Sequence, residues 1–443
     1  MARKVFISVL GAGLYGKCRY IREDENFVSD ETHFVQSATM QYLHVKDWGE
    51  SDLGLFLLTD YARKENWNKS IKSRHNNYSN SDVKYEGLES VIEKMHLPIK
   101  IKDLSICDGN NEKEIWDIFT CVFKVLKDND ELFFDITHAF RYLPMLILVL
   151  CNYAKFVKSV EIKSITYGNY EARDKETNCA PIINLTAISQ LQDWTFAAGQ
   201  YLENGSVSHL VSLCEQEFMP ILRETKGGDV SARNLRDFVN KLSAVTEERK
   251  TCRGMDIIKS TSFKGLKQSA DYLESTFIDA FNPIFEKIKT SLVSFDENQN
   301  ISNGFEAAKW CFNNGLYQQS ATILQEAVVS FICQFHDIKI DDEERRQLVN
   351  NAFAIRINNI KEDKWRVGDE ENKEKVKEIL SDVFFSDNNY INAFDILTMV
   401  RNDFNHSGMR SVRKPLSPSK IKEKIAGCLN AFSGLFRCCH TNC

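Results

Sequence analysis

Hydrophobic and polar positions change rhythm part-way along the chain. Over the first 170 residues short apolar runs recur: KVFISVLG (4–11), LGLFLLT (53–59), IKIKDL (99–104), DELFFDIT (130–137) and VEIKSITYG (160–168). Runs of this length, rich in β-branched and aromatic residues, predict strands. The intervening segments THFVQSATMQYL (32–43), YARKENWNKSI, GLESVIEKM (87–95) and NEKEIWDIFTCVFKVL (111–126) predict helices. In the last of these, apolar residues at 115, 118, 119, 122, 123 and 126 form one helical stripe. AFRYLPMLILVLCNYAKFV predicts a mostly buried helix with Pro144 in its first turns, where proline is tolerated. Strands alternating with helices predict a mostly parallel, Rossmann-like α/β sheet covered on both faces, with ligands bound beyond the carboxyl ends of its strands.

From about residue 185 no strand pattern is found. LTAISQLQDWTFAAGQYL and SADYLESTFIDAFNPIFEKIKTSLVSF predict long helices. SFDENQNISNGF is a polar break, and FEAAKWCFNNGLYQQSATILQEAVVSFICQF predicts two helices around NNG. KEDKWRVGDEENKEKVKE (361–378) predicts a solvated loop and helix. The expected organisation is an α/β domain over 1–184, a helical connector over 185–300 and an all-α domain over 301–443.

Length and charge narrow the classes. The 443 residues suit two or three domains. A net charge of −6 means that nucleic acid would be met by a local basic patch rather than by the whole molecule. The apolar run LPMLILVLC (143–151) is too short to span a bilayer, and MARKVFISVLGAG lacks the apolar core and cleavage site of a signal peptide. The expected location is the cytoplasm, away from membranes, with the thirteen cysteines reduced. The tail RCCHTNC gathers Cys438, Cys439, His440 and Cys443, but adjacent ligands lack the usual paired spacing, and no metal site is read there.

Three stretches carry candidate chemistry. The first strand runs into GAGLYG, residues Gly11, Ala12, Gly13, Leu14, Tyr15 and Gly16. This matches the dinucleotide fingerprint, but the KCRYIREDENF that follows has no amphipathic helical stripe. The bland alternative is a turn leaving a strand; the other is a loop whose glycines let the backbone approach a phosphate. FFDITHAFRYLP (133–144) ends a strand and begins a helix, with Thr137 as expected N-cap and His138 and Arg141 placed three apart to face one anion. In MVRNDFNHSGMR (399–410), a helix with apolar residues at 391, 394, 397, 400 and 404 ends near Gly408. Arg401 and His406 stand five residues apart, roughly 140° around an ideal helix, so they converge only in a frayed last turn or against a second copy. His can move a proton and Arg can hold a phosphate, with Asn402 and Asp403 as polar neighbours. These groups fit metal-free RNA cleavage by the 2′-hydroxyl. Arg410, Arg413, Lys414, Lys420, Lys422 and Lys424 follow as a phosphate-attracting patch.

Taken together, VFISVLGAGLY, ETHFVQSA, FLLTDYARKENW, FDITHAFRYLP, ITYGNYEA, GLYQQSATILQEA and RNDFNHSG resemble the CRISPR-associated ribonucleases of type III systems that join a CARF sensor to a HEPN effector domain. The resemblance implies that 1–184 is a CARF domain binding a cyclic oligoadenylate across a dimer axis through Gly11–Tyr15 and Thr137, His138 and Arg141. It implies cyclic tetra-adenylate first, with cyclic hexa-adenylate as the alternative, and no other cofactor. It implies a HEPN domain over 301–443 whose Arg401, Asn402 and His406 pair with a second copy to cut single-stranded RNA in antiviral defence. Arg410, Arg413 and Lys414 would contact the RNA, and the assembly would be a homodimer or a higher oligomer. Ala139 stands where the family often has Gly, which leaves cleavage of the activator itself open. The competing readings are a catalytically silent sensor and a dinucleotide-dependent oxidoreductase built on GAGLYG.

Overall fold

The structure is a computed structural model that describes residues 2–68, 72–76, 81–138, 142–273, 279–409 and 415–437. The chain divides into two compact units, 1–190 and 191–443.

The first unit is an α/β sheet domain. Its strands are β1 (Lys4–Leu10), β2 (Arg19–Arg22), β3 (Phe27–Val28), β4 (Leu53–Leu58), β5 (Lys72–Asn76), β6 (Ser81–Tyr85), β7 (Lys100–Ser105), β8 (Glu131–Asp135), β9 (Glu161–Gly168) and β10 (Cys179–Asn184). Eight of them form one sheet in the order β3-β2-β10-β9-β8-β1-β4-β7, and β5 and β6 make a separate hairpin. The central five, β9-β8-β1-β4-β7, run parallel. β10 is antiparallel to β9, as β3 is to β2. The helices are α1 (Val35–Tyr42), α2 (Asp60–Ala62), α3 (Leu88–Lys94), α4 (Glu112–Val125) and α5 (Leu143–Lys158). Successive side chains of β1 enter opposite layers, as the pleat requires. Val5, Ile7 and Val9 join a core that includes Ile118, Phe119, Ile147 and Leu150 of α4 and α5. Phe6 and Leu10 join Phe34, Met40, Leu88 and Ile92 on the other face. Burial on both faces is why β1 reads as an unbroken apolar run. After β2 and β3 at the far edge, the chain adds β4 and β7 on one side of β1, then β8 and β9 on the other. The order therefore reverses between β1 and β8, the place where open parallel sheets hold ligands.

Two local expectations change. In YARKENWNKSI the α-helix gives way to a π turn over Arg63–Trp67, and 69–71 lie outside the described residues. The α5 helix is not mostly buried. Leu143, Ile147, Leu150, Cys151 and Ala154 face the core, while Met145, Val149, Tyr153, Phe156 and Val157 are exposed, Phe156 at 90%. Continuous hydrophobicity leaves no polar face by which the sequence could show which side meets water.

The second unit is all helical. It takes in most of α6 (Thr186–Asn204), then α7 (Ser208–Glu224), α8 (Val230–Lys250), α9 (Gly254–Lys259), α10 (Thr261–Asp271) and α11 (Asn282–Thr290). It continues through α12 (Ser302–Asn313), α13 (Tyr317–Phe335), α14 (Glu343–Asn358), α15 (Glu370–Leu380), α16 (Val383–Ser386), α17 (Asn388–Asn405) and α18 (Pro418–Arg437). One hydrophobic core joins Trp194, Phe238 and Leu266 with Leu324, Phe353, Leu397 and Phe432, so the stretch expected as a connector shares its core with the helices after 301. Among the described residues no helix is long and apolar enough to cross a membrane.

Candidate functional site

The loop after β1 is shaped by two neighbours. Asn66, fully buried in the π turn, donates from Nδ2 to the Gly11 and Gly13 carbonyls, each at 2.8 Å. The loop folds Tyr15 back over its own start: a Cβ on Gly11 would lie 2.6 Å from Tyr15 Oη, and one on Gly13 3.3 Å from its ring. These glycines are needed for close approach, not for a left-handed backbone. The Tyr15 ring stacks on His138 with centroids 3.9 Å apart and meets Phe34 edge-on, while His33 Nδ1 lies 2.8 Å from the Tyr15 carbonyl. Thus loops after two strands on either side of the switch point touch through one ring stack.

Beneath it lies a buried polar knot. Asp135, the last residue of β8, accepts from Ser8 Oγ at 2.7 Å and from Thr137 through its hydroxyl at 2.5 Å and its N–H at 3.1 Å. Thr137 Oγ1 in turn accepts from the Gly168 N–H at 2.8 Å. The ends of β1, β8 and β9 are therefore tied by one carboxyl group. Burial pushes that carboxyl up from the usual range, against the pull of its hydrogen bonds to Thr137 and Ser8. Burial also lowers the His138 imidazole to about 4, and its Nε2 has no hydrogen-bond partner among the described residues. Gln36 is placed similarly: Nε2 donates to the Val9 carbonyl at 3.0 Å, and Oε1 is buried with no partner among the described residues. A ring stack that carries an imidazole nitrogen unpartnered among the described residues suits a polar, partly aromatic ligand.

In the second unit, α17 buries Ile391, Phe394, Leu397 and Val400, and Phe394 stacks on Phe353 at 3.5 Å. Its N-cap is Asp387, which accepts from the Asn389 N–H at 2.8 Å. At the other end His406 is the C-cap, followed by left-handed Ser407 and by Gly408 with φ 70°. Arg401, Asn402 and Asp403 are half-buried and His406 is exposed. Arg401 Nη1 donates to Gln325 Oε1 at 3.1 Å and lies 3.7 Å from Glu326 Oε1. Among the described residues no hydrogen bond or ion pair joins Arg401 to His406. The helix is regular to Asn405, and His406 lies just past it as the C-cap with φ −100° and ψ 10°.

Residues 5–171 match the family described as CRISPR system endoribonuclease Csx1, CARF domain. Over that stretch the chain carries a CARF domain. The chain is 26% identical over 370 residues to CRISPR-associated protein MJ1674 of Methanocaldococcus jannaschii, a match covering 76% of this chain and 55% of that one, so it spans about half the length of that relative. It is also similar to the solved structure of Enterococcus italicus Csm6 bound to cyclic hexa-2′-fluoro-hexa-dAMP, with a TM-score of 0.44, 12% identity, and coverage of 99% of this chain and 94% of that one.

Within the CARF domain the structure brings Gly11, Gly13, Tyr15 and His138 together. One role changes. Thr137 is not a helix N-cap: α5 begins at Leu143, with Tyr142 as its cap residue. The Thr137 hydroxyl is spent on Asp135 and Gly168 instead, because a buried carboxyl and a strand-end N–H lie closer than any helix start. Arg141 and Ala139 lie outside the described residues, as do Arg410, Arg413 and Lys414 of the basic patch and the cysteine-rich tail. Sequence reasoning missed Asn66, Asp135, Ser8 and Gln36 in the CARF domain and Gln325 in the helical unit. Asp135 was visible as an acidic residue closing an apolar strand; the others are ordinary polar residues whose partners lie far away in the chain.

Proposed function

We propose that this chain is a cyclic-oligoadenylate-activated, metal-independent endoribonuclease of type III CRISPR defence. Residues 1–184 are the CARF sensor, and residues 301–443 are a HEPN effector joined to it through 185–300. The observation that carries the reading is the exposed end of α17. There, one edge of the Arg401 guanidinium is held from below, and His406 caps the same helix in solvent. Arg401 clamps the scissile phosphate and offsets the charge that develops on it. His406 moves a proton as the 2′-hydroxyl attacks the adjacent phosphorus and the 5′-oxygen departs. The products carry a 2′,3′-cyclic phosphate and a 5′-hydroxyl. Asn402 orients the pair, and Arg410, Arg413 and Lys414 guide the strand.

As the family resemblance implies, the complete site takes Arg401 and His406 from two copies of α17, and the active species is a homodimer. The exposed apolar stripe of α5, with Trp116 of α4 exposed nearby in sequence order, supports pairing in the sensor as well. The activator occupies the cleft at the ends of β1 and β8, against Gly11–Tyr15, Thr137, His138 and Arg141. Cyclic tetra-adenylate is the first candidate and cyclic hexa-adenylate the second.

The test is cleavage of single-stranded RNA in a chelator, with cyclic tri-, tetra- and hexa-adenylate assayed in parallel. Cleavage with only one ring size, leaving cyclic phosphate ends and sparing an all-deoxy strand, is the expected result. Activity independent of every ring, or 5′-phosphate ends, would overturn the reading.

A further inference from the structure

Gln325 of α13 is 5% exposed, and a buried amide needs partners for both its ends. It finds both on α17. Its Nε2 donates to Thr398 Oγ1 at 3.0 Å, and its Oε1 accepts from Arg401 Nη1 at 3.1 Å. Thr398 and Arg401 stand three residues apart, on neighbouring turns of one helix face. The amide orientation follows from chemistry: a guanidinium only donates, so the atom facing it is the oxygen. Glu326, the next residue, cannot replace this contact. Its Oε2 is drawn to Arg346 Nη2 at 2.7 Å, and Arg346 is itself anchored on Ser330 Oγ and the Ile340 carbonyl at 2.8 and 3.2 Å. Glu326 Oε1 stays 3.7 Å from Arg401 Nη1, within ion-pair range but beyond a hydrogen bond.

Arg401 is thus gripped at one nitrogen, and among the described residues Nε and Nη2 have no hydrogen-bond partner. Those two atoms form the fork that binds a phosphate through two parallel hydrogen bonds. We propose that Gln325 is a positioning residue for RNA cleavage: by fixing Nη1 it presents the Nε–Nη2 edge of Arg401 to the scissile phosphate. A neutral amide suits the task because it orients the guanidinium without cancelling its charge. The proposal rests on the ribonuclease reading above.

The experiment uses the full chain with saturating activator and a single-stranded RNA, read as single-turnover rate, with thermal unfolding as a control. Gln325→Met keeps the volume and removes both hydrogen bonds. It is expected to slow cleavage about ten- to a hundredfold, the scale of a small misplacement of a catalytic group, while the unfolding temperature moves by no more than a few degrees. A double-mutant cycle then asks where the effect acts. In an Arg401→Lys background, which has no fork to orient, Gln325→Met should cost less than twofold further. Gln325→Glu restores the acceptor but neutralises the clamp, so it should recover less than half of the lost rate. A wild-type rate in Gln325→Met overturns the proposal. So does an equal loss in the Arg401→Lys background, which would mean that Gln325 acts elsewhere. If the wild-type protein itself cuts no RNA with any ring, the ribonuclease reading has failed and this proposal falls with it.

Discussion

The strand ends of the CARF domain and the end of α17 are built in opposite ways. At the strand ends Asp135, Ser8 and Thr137 are bound to one another, with Asp135 and Ser8 fully buried. Asp135 alone gathers Ser8 and Thr137, and Thr137 passes the link to Gly168. Asn66 spends its amide on two loop carbonyls. At the end of α17 only Arg401 is held, by one nitrogen, and His406 stands in solvent. A site pinned by buried hydrogen bonds is pre-formed within one copy of the chain. At the end of α17, among the described residues, no hydrogen bond or ion pair joins Arg401 to His406, and on the proposed function a second copy completes the site. On the proposed function, binding geometry belongs to the fold of one copy and chemistry to assembly, an arrangement that suits an effector silent until its signal arrives.

The comparison breaks most directly at the exposed helix end. Arg401→Ala and His406→Ala should each reduce RNA cleavage by about a thousandfold or more, the scale of losing a charge clamp or a proton carrier. Because His406 is exposed, its loss should change stability by no more than about 0.5 kcal/mol, whereas Arg401→Ala strands the buried Gln325 Oε1 and should cost about 1–3 kcal/mol. Product analysis by mass and calorimetry on the same samples check this, and a larger loss of stability would mean that the helix end is structural.

The sensor should respond the other way round. Asp135→Ala leaves the Ser8 hydroxyl and the two Thr137 donors without their acceptor, and should cost about 2–3 kcal/mol of stability together with most of the activator affinity. Titration of the activator by calorimetry and denaturant unfolding check both. Unchanged stability would show that the three strand ends do not need this tie.

Assembly is tested on α5. Phe156→Asp places a charge at the most exposed position of the apolar stripe, and should shift the protein toward monomer by about tenfold or more in dissociation constant if the stripe pairs two copies. Sedimentation over a range of concentrations reads it, and an unmoved equilibrium would send the dimer contact elsewhere.

The smallest expected effect is in pH. His138 is held at about 4 by burial, whereas an unfolded imidazole titrates near 6.5. Between these values the unfolded chain binds a proton that the folded chain does not, so stability rises with pH across this window and is lost as pH falls through it. Asp135, pushed upward, has the opposite sign: the folded state keeps a proton that the unfolded chain has released, so its contribution declines as pH rises above the ordinary carboxylate range. His138→Gln should remove the first trend and leave the second. Unfolding temperatures measured from pH 4 to 7 for both proteins check the difference.

Much of this was legible before any coordinates. The apolar runs at 4–11, 53–59 and 130–137 are strands because a strand covered on both faces has no polar position to spare. The stripe in 111–126 is the buried face of α4, and the stripe ending at Val400 is the buried face of α17. The glycine loop and the R-x4-H pair stood out because unusual residue types fell at element ends. Periodicity and residue type are local properties, and local chemistry is enough to reveal them. Which polar residues matter inside a site is not local. Thr137 looks like a helix cap until Gly168, 31 residues away, takes its hydroxyl. Asn66 is an ordinary asparagine until the fold brings it against carbonyls 55 and 53 residues earlier. Gln325 gains its meaning from Arg401, 76 residues later. The exposed side of α5 was hidden for the same reason, since an apolar helix carries no mark of where its neighbours stop. The sequence by itself determined the elements, their α/β then all-α order and the reactive residue types. Only the tertiary structure decided which distant donors and acceptors were brought within hydrogen-bond reach, because that pairing depends on how the elements pack and not on the residues next to them in the chain.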